Sequence, residues 1–144
     1  MKFIVLATII SASYFASAQT DQIVKWYHIE RAQSLTSENP RPVFVEFTAD
    51  WCGWCKKMDK TTFRDQKVVT TLNSDYYSVK LDFESKVTFA FNGKKFTSKE
   101  FAKKYGIQGL PTMILFSPDL EDHSLIVGYQ KSKQFLSKLE KAEM

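Results

Sequence analysis

Cysteine, histidine, glycine and proline are all scarce in this 144-residue chain, at two, two, five and four residues. Each scarcity excludes something. A small secreted domain stapled by disulfides carries more cysteines at wider spacing than Cys52 and Cys55, so a hydrophobic core has to hold this fold. Those two thiols supply half of the roughly four ligands that a structural metal site needs, and neither His28 nor His123 has ligand spacing to them. No metal and no other cofactor is expected. There is no low-complexity linker and no internal repeat. Past the first residues, nothing resembles the roughly 20 apolar residues that a membrane-spanning helix needs. The formal net charge is +4 at pH 7, from lysines that read as dispersed along the chain. A solvated surface accounts for them, and without a groove-reading motif no nucleic-acid partner is expected.

What is present is an ordinary globular composition, 44% hydrophobic and 25% charged, at a length that suits one domain, and a monomer is expected. Met1 and Lys2 make a short positive start. Residues 3–10 (FIVLATII) are apolar, residues 11–18 are rich in small side chains, and Ala16-Ser17-Ala18 fits the small-x-small pattern before a signal-peptidase cut. Residues 1–18 are therefore read as a signal peptide cleaved after Ala18, with an uncleaved anchor helix as the alternative. Residues 19–144 are read as the domain, exported to the periplasm or another extracytoplasmic, oxidising compartment.

The domain alternates helical and strand patterns. Residues 27–38 place Ile29, Ala32 and Leu35 at helical spacing, and Asn39-Pro40-Arg41-Pro42 ends that run. Residues 43–48 (VFVEFT) have the near-continuous apolar character of a central strand covered on both faces. Residues 50–60 open a helix, and residues 63–72 continue as another. Residues 76–83 alternate like a strand. Residues 87–91 and 94–97 flank Asn92-Gly93, a favoured two-residue hairpin turn. Ser98 is expected to cap a helix that buries Phe101 and Ala102 and stops at Gly106. Residues 112–116 and 124–129 read as a buried strand and an edge strand, with a turn at Ser117-Pro118-Asp119. Residues 131–142 form a last helix with Phe135, Leu136 and Leu139 on one face. The pattern predicts an α/β fold in which helices pack on a central sheet.

Cys52 and Cys55 fall where the buried strand turns into a helix. The first turn of a helix has unpaired N–H groups and the positive end of the dipole, and both stabilise a thiolate. Gly53 and Trp54 bring the second sulfur within bonding reach of the first, so the pair can cycle between dithiol and disulfide. A purely structural bridge is the competing reading, but so short a loop restricts few unfolded conformations.

The run VFVEFTADWCGWCK, with GIQGLPT further on, resembles the thioredoxin superfamily from about Trp26 to the C-terminus. The stretch FNGKKFTSKEFAKKYGIQGLPT resembles periplasmic thioredoxin-like reductases linked to sulfur oxidation and cytochrome c maturation. The resemblance implies a central mixed β-sheet flanked by helices on both faces. It implies that Cys52 is the nucleophile, Cys55 the resolving thiol, and the two together the redox-active disulfide. Trp51, Gly53, Trp54, Leu110 and Pro111 would form the substrate-docking surface, with a cis bond between Leu110 and Pro111. Glu46 stands where thioredoxins usually have aspartate. Burial on the strand would raise its pKa and let it take the proton of the resolving thiol, with Lys80 as its pairing partner.

The function so implied is reduction of disulfides in exported proteins, with recharging by a membrane electron donor of the thiol-carrier type. Trp54 replaces the proline common between the cysteines of thioredoxins. An oxidase or isomerase using the same residues, or a non-catalytic binding or chaperone module, are the alternatives.

Overall fold

Residues 43–48 form the middle of the sheet, as their lack of alternation implies. The structure, a computed structural model, describes residues 23–142; the expected signal peptide and its cleavage point lie outside them. In chain order the elements are β1 (Trp26–Tyr27), α1 (Ile29–Glu38), β2 (Val43–Thr48), α2 (Gly53–Lys60), a 3₁₀ turn (Thr62–Arg64), α3 (Gln66–Asp75), β3 (Tyr77–Asp82), β4 (Phe89–Phe91), β5 (Lys94–Phe96), α4 (Ser98–Lys104), β6 (Thr112–Phe116), β7 (His123–Val127) and α5 (Ser132–Ala142). The main sheet has the order β1-β3-β2-β6-β7, and β4-β5 is a separate two-stranded sheet. β1, β3 and β2 run parallel, while β6 is antiparallel to β2 and β7 to β6. This is the expected mixed sheet with helices on both faces.

Strand parity divides the core. Val43, Val45 and Phe47 face Ile29 and Ala32 of α1 and Phe101 and Ala102 of α4. Phe44 faces the other way, onto Met58 of α2, Leu72 of α3 and Phe135 of α5. Each such side chain contributes about 1.5–3 kcal/mol on burial. Glu46 shares the parity of Phe44, so a carboxylate sits inside the second layer. No helix among the described residues is long and apolar enough to cross a membrane.

Three local expectations are corrected. The first helix begins at Ile29, not Tyr27, because the two aromatics before it alternate. Trp26 packs on Phe63 at 5.5 Å between ring centroids, and Tyr27 on Tyr77 at 5.9 Å. The helical run expected over residues 63–72 is broken at Asp65, whose carboxylate accepts from the N–H groups of Lys67 and Val68 and starts α3 afresh. The cap of α4 is Thr97 rather than Ser98. Thr97 Oγ1 accepts from Glu100 N at 3.3 Å, and Glu100 Oε2 accepts from Thr97 N at 2.8 Å, a reciprocal capping box.

The β4–β5 hairpin turns where Asn92-Gly93 predicts, with φ of 47° and 73° at those two residues. Its outer edge meets α1 and not another strand. Gln33 Nε2 donates to Ala90 O at 2.8 Å, Asn92 N donates to Gln33 Oε1 at 3.0 Å, and Ala90 N donates to Glu30 Oε1 at 3.0 Å.

Candidate active site

β2 delivers the chain to the end of the sheet, and Cys52 caps α2. Its Sγ accepts from the N–H of Cys55 at 3.2 Å, and Lys56 N donates to Cys52 O at 3.1 Å. The sulfur therefore occupies the place where an N-cap oxygen usually meets the free donors of the first turn. Cys52 and Cys55 are joined as a disulfide. Cys52 retains 4% of its surface and Cys55 none, so Cys52 is the cysteine of the pair with any open surface. Ala49, Phe83 and Leu110 pack around the pair. Trp51 and Trp54 flank it at 65% and 56% exposure, which makes an apolar rim around the opening. Gly53 has no heavy atom near the place a Cβ would occupy, so the rim is open between the tryptophans.

The loop before β6 closes the other side. The Leu110–Pro111 bond is cis, as the resemblance implied. Thr112 Oγ1 donates to Gly109 O at 2.7 Å, and Gly128 N donates to Pro111 O at 2.9 Å. The first bond closes the loop on itself, and the second ties it to the residue after β7. Between them the backbone N–H and C=O of Leu110 have no hydrogen-bond partner among the described residues.

On β2, Glu46 is fully buried, opposite Lys80 in the β2–β3 register. Lys80 Nζ lies 3.2 Å from Glu46 Oε2. This contact is an ion pair by distance, but its direction leaves both carboxylate oxygens without a well-formed hydrogen bond. Burial pushes the Glu46 carboxyl up to about 8; Lys80 opposes the rise and the nearby Asp59 carboxylate adds to it. Lys80 also pairs with Asp59 and lies 4.5 Å from the ring centroid of Trp26. Cys55 Sγ sits 4.0 Å from the carbonyl oxygen of Phe47, the residue after Glu46.

Asp59 is the site residue that sequence reasoning missed. It lies four positions after Cys55 on α2, which puts both on one helix face, and that spacing was the available signal. Two supports of the rim were also missed. Trp51 Nε1 donates to Glu84 Oε1 at 3.4 Å, and Lys99 pairs with Glu84 Oε2 at 2.6 Å. Trp54 packs on Tyr129 at 5.2 Å, with Lys57 Nζ over both rings. These partners come from distant segments, so no local pattern announces them. Among the described residues no cluster of His, Cys, Asp and Glu could hold a metal.

A family model described as a thioredoxin-like domain matches residues 29–143. The chain belongs to that family. It is also similar to the thiol:disulfide interchange protein DsbD of Campylobacter jejuni, with 29% identity over 113 residues, covering 78% of this chain and 18% of that protein. The chain thus spans less than a fifth of that relative's length. Among solved structures, DsbH oxidoreductase superposes with a TM-score of 0.68 at 18% identity, covering 96% of this chain and 94% of that one. The oxidised C-terminal domain of Neisseria meningitidis DsbD superposes with a TM-score of 0.60 at 23% identity, covering 79% and 91%. At these identities the two structures speak for the fold, a thioredoxin-like one.

Proposed function

We propose that this chain is an exported thiol–disulfide oxidoreductase that reduces disulfides in extracytoplasmic proteins. The observation that carries the reading is Cys52 Sγ capping the N-terminus of α2, on the one cysteine of the pair with open surface. In the reduced protein the same N–H groups favour a Cys52 thiolate. That thiolate attacks a substrate disulfide, forms a mixed disulfide and releases the first substrate thiolate. Where Glu46 is ionised, a fraction that grows as pH rises toward about 8, Cys55 gives its proton to that carboxylate and attacks Cys52 Sγ. The second substrate thiolate leaves, and two electrons have passed from the protein to the substrate. Lys80 steadies the carboxylate while it changes charge. Trp51, Gly53, Trp54 and the Leu110–Pro111 loop hold the substrate strand, whose backbone would pair with the open N–H and C=O of Leu110. The likeness to the thiol:disulfide interchange protein DsbD supports disulfide exchange as the reaction, and a membrane-bound thiol carrier is the electron donor proposed here.

Equilibration of the Cys52–Cys55 pair with glutathione tests the direction. A potential near that of thioredoxin, about −270 mV, is expected, whereas a value near −120 mV would make the protein an oxidant. Cys52→Ser should abolish insulin reduction, and Cys55→Ala should accumulate mixed disulfides with exported proteins. No insulin reduction by the unaltered protein, with substrate binding retained in Cys52→Ser, would instead leave a binding module.

A further inference from the structure

The lysines are less evenly spread than they first read. Residues 85–109 hold Lys86, Lys94, Lys95, Lys99, Lys103 and Lys104 against the single acid Glu100, a formal +5, while the whole chain is only +4. Everything outside this segment is therefore net −1. The segment is the β4–β5 hairpin with α4, and all six lysines are exposed. Its one acid is engaged, since Glu100 Oε2 accepts from both Thr97 N and Thr97 Oγ1. Only Lys99 is paired; among the described residues no carboxylate pairs with Lys86, Lys94, Lys95, Lys103 or Lys104.

Packing joins α4 to the hairpin. Lys104 Nζ lies 5.2 Å from the ring centroids of both Phe96 on β5 and Tyr105, so a lysine at the end of α4 lies against the strand that carries Lys94 and Lys95. Lys99 is one turn before Lys103 on α4 and carries the patch to the active-site rim. Its Nζ lies 5.4 Å from the ring of Phe83, which packs on the disulfide, and it pairs with Glu84, which holds Trp51. The acids Asp119, Glu121 and Asp122 lie on the turn after β6, at the end of the sheet away from Cys52.

We propose that the hairpin and α4 form a docking surface for the acidic face of a redox partner protein, beside the disulfide it exchanges with. This rests on the oxidoreductase reading above. Unpaired surface lysines contribute little to stability, but a patch of one sign steers an oppositely charged partner and raises its encounter rate. Continuity with the rim favours a protein partner, because the charge then orients the same molecule whose disulfide must reach Cys52.

The test uses the protein reduced with dithiothreitol, desalted, and mixed in single turnover with three disulfide peptides of equal length, flanked by glutamates, serines or lysines. Steering of this kind is worth about 10-fold or more in rate, so the glutamate peptide should be reduced about tenfold faster than the serine peptide at low ionic strength. The advantage should vanish near 1 M salt, where the Debye length is about 3 Å. Lys94→Glu/Lys95→Glu/Lys103→Glu should remove the advantage and leave the serine peptide unchanged; the Gln triple variant should do so partly. Equal rates for the three peptides at low salt would overturn the proposal, as would equal slowing of all three by the substitutions. Charge-dependent binding to phosphatidylglycerol vesicles without a preference for the glutamate peptide would also overturn it, by giving the patch to a membrane. If no peptide is reduced, the oxidoreductase reading fails separately. Tryptophan fluorescence of the oxidised protein, titrated with a disulfide-free glutamate peptide, then decides the docking surface: salt-sensitive saturation supports it and a flat titration overturns it.

Discussion

Replacing Glu46 with glutamine should make the oxidised protein more stable at alkaline pH and leave it nearly unchanged at pH 5. The folded state holds the Glu46 proton up to about pH 8, against an ordinary value of 4.5. Between those two values the folded chain keeps a proton that the unfolded chain has lost. Stability therefore falls as pH rises through that window, and the full loss is in place above about pH 8. At about 1.36 kcal/mol per pKa unit, the interval amounts to about 5 kcal/mol, of which about 4 kcal/mol falls between pH 5 and pH 9. The attraction of Lys80 is already contained in that figure. Glutamine has nearly the shape of the protonated acid and never ionises. Lys80 keeps Asp59 as a partner after the change, and the disulfide keeps both cysteines out of the titration. Urea denaturation of both proteins at pH 5, 7 and 9 measures the effect. The two stability curves should separate progressively, with the variant above. Parallel curves, or a variant less stable at pH 9, would refute the account of a carboxylate stranded by burial.

The neighbours of Glu46 should move its titration in opposite directions. Asp59→Asn should lower its midpoint below about 8, because a repelling carboxylate is gone, and Lys80→Met should raise it, because an attracting ammonium is gone; carboxyl carbon shifts against pH read both. Phe101→Ala should cost about 3–5 kcal/mol in urea denaturation, since Phe101 is fully buried and its ring meets those of Phe91 and Tyr105 at 4.9 Å. A loss under about 1 kcal/mol would mean that the aromatic layer is loosely packed. Thr97→Ala should cost about 1 kcal/mol by removing half of the capping box, with Ser98→Ala costing less than Thr97→Ala.

The sheet was legible because its strands differ in kind. Residues 43–48 and 112–116 carry runs that only a strand covered on both faces would bury, and both were located to the residue. The hairpin was legible because Asn92-Gly93 accepts positive φ. The ends of elements were less so, since Tyr27 takes its place from Tyr77, fifty residues away. At the site, the structure joins Cys52 to Cys55 and sets Lys80 beside Glu46, but that Lys80 bridges two carboxylates was hidden. Asp59 looks like any exposed helix acid until β3 brings Lys80 beside it. The rim supports Glu84 and Tyr129 were likewise invisible, because each reaches its tryptophan across the fold.

The contact between α1 and the hairpin makes a helix stand in for a strand. One carboxamide, that of Gln33, gives a proton to Ala90 O and takes one from Asn92 N. A single residue of a parallel neighbour would offer that same pair of bonds. Glu30 satisfies the remaining N–H of Ala90. The edge of β4 is thereby closed to recruitment of another chain, without a third strand being built. The hairpin also stays outside the hydrogen-bond register of the main sheet. A change in its length or charge therefore leaves the pairing of β2, the strand that leads to Cys52, unbroken.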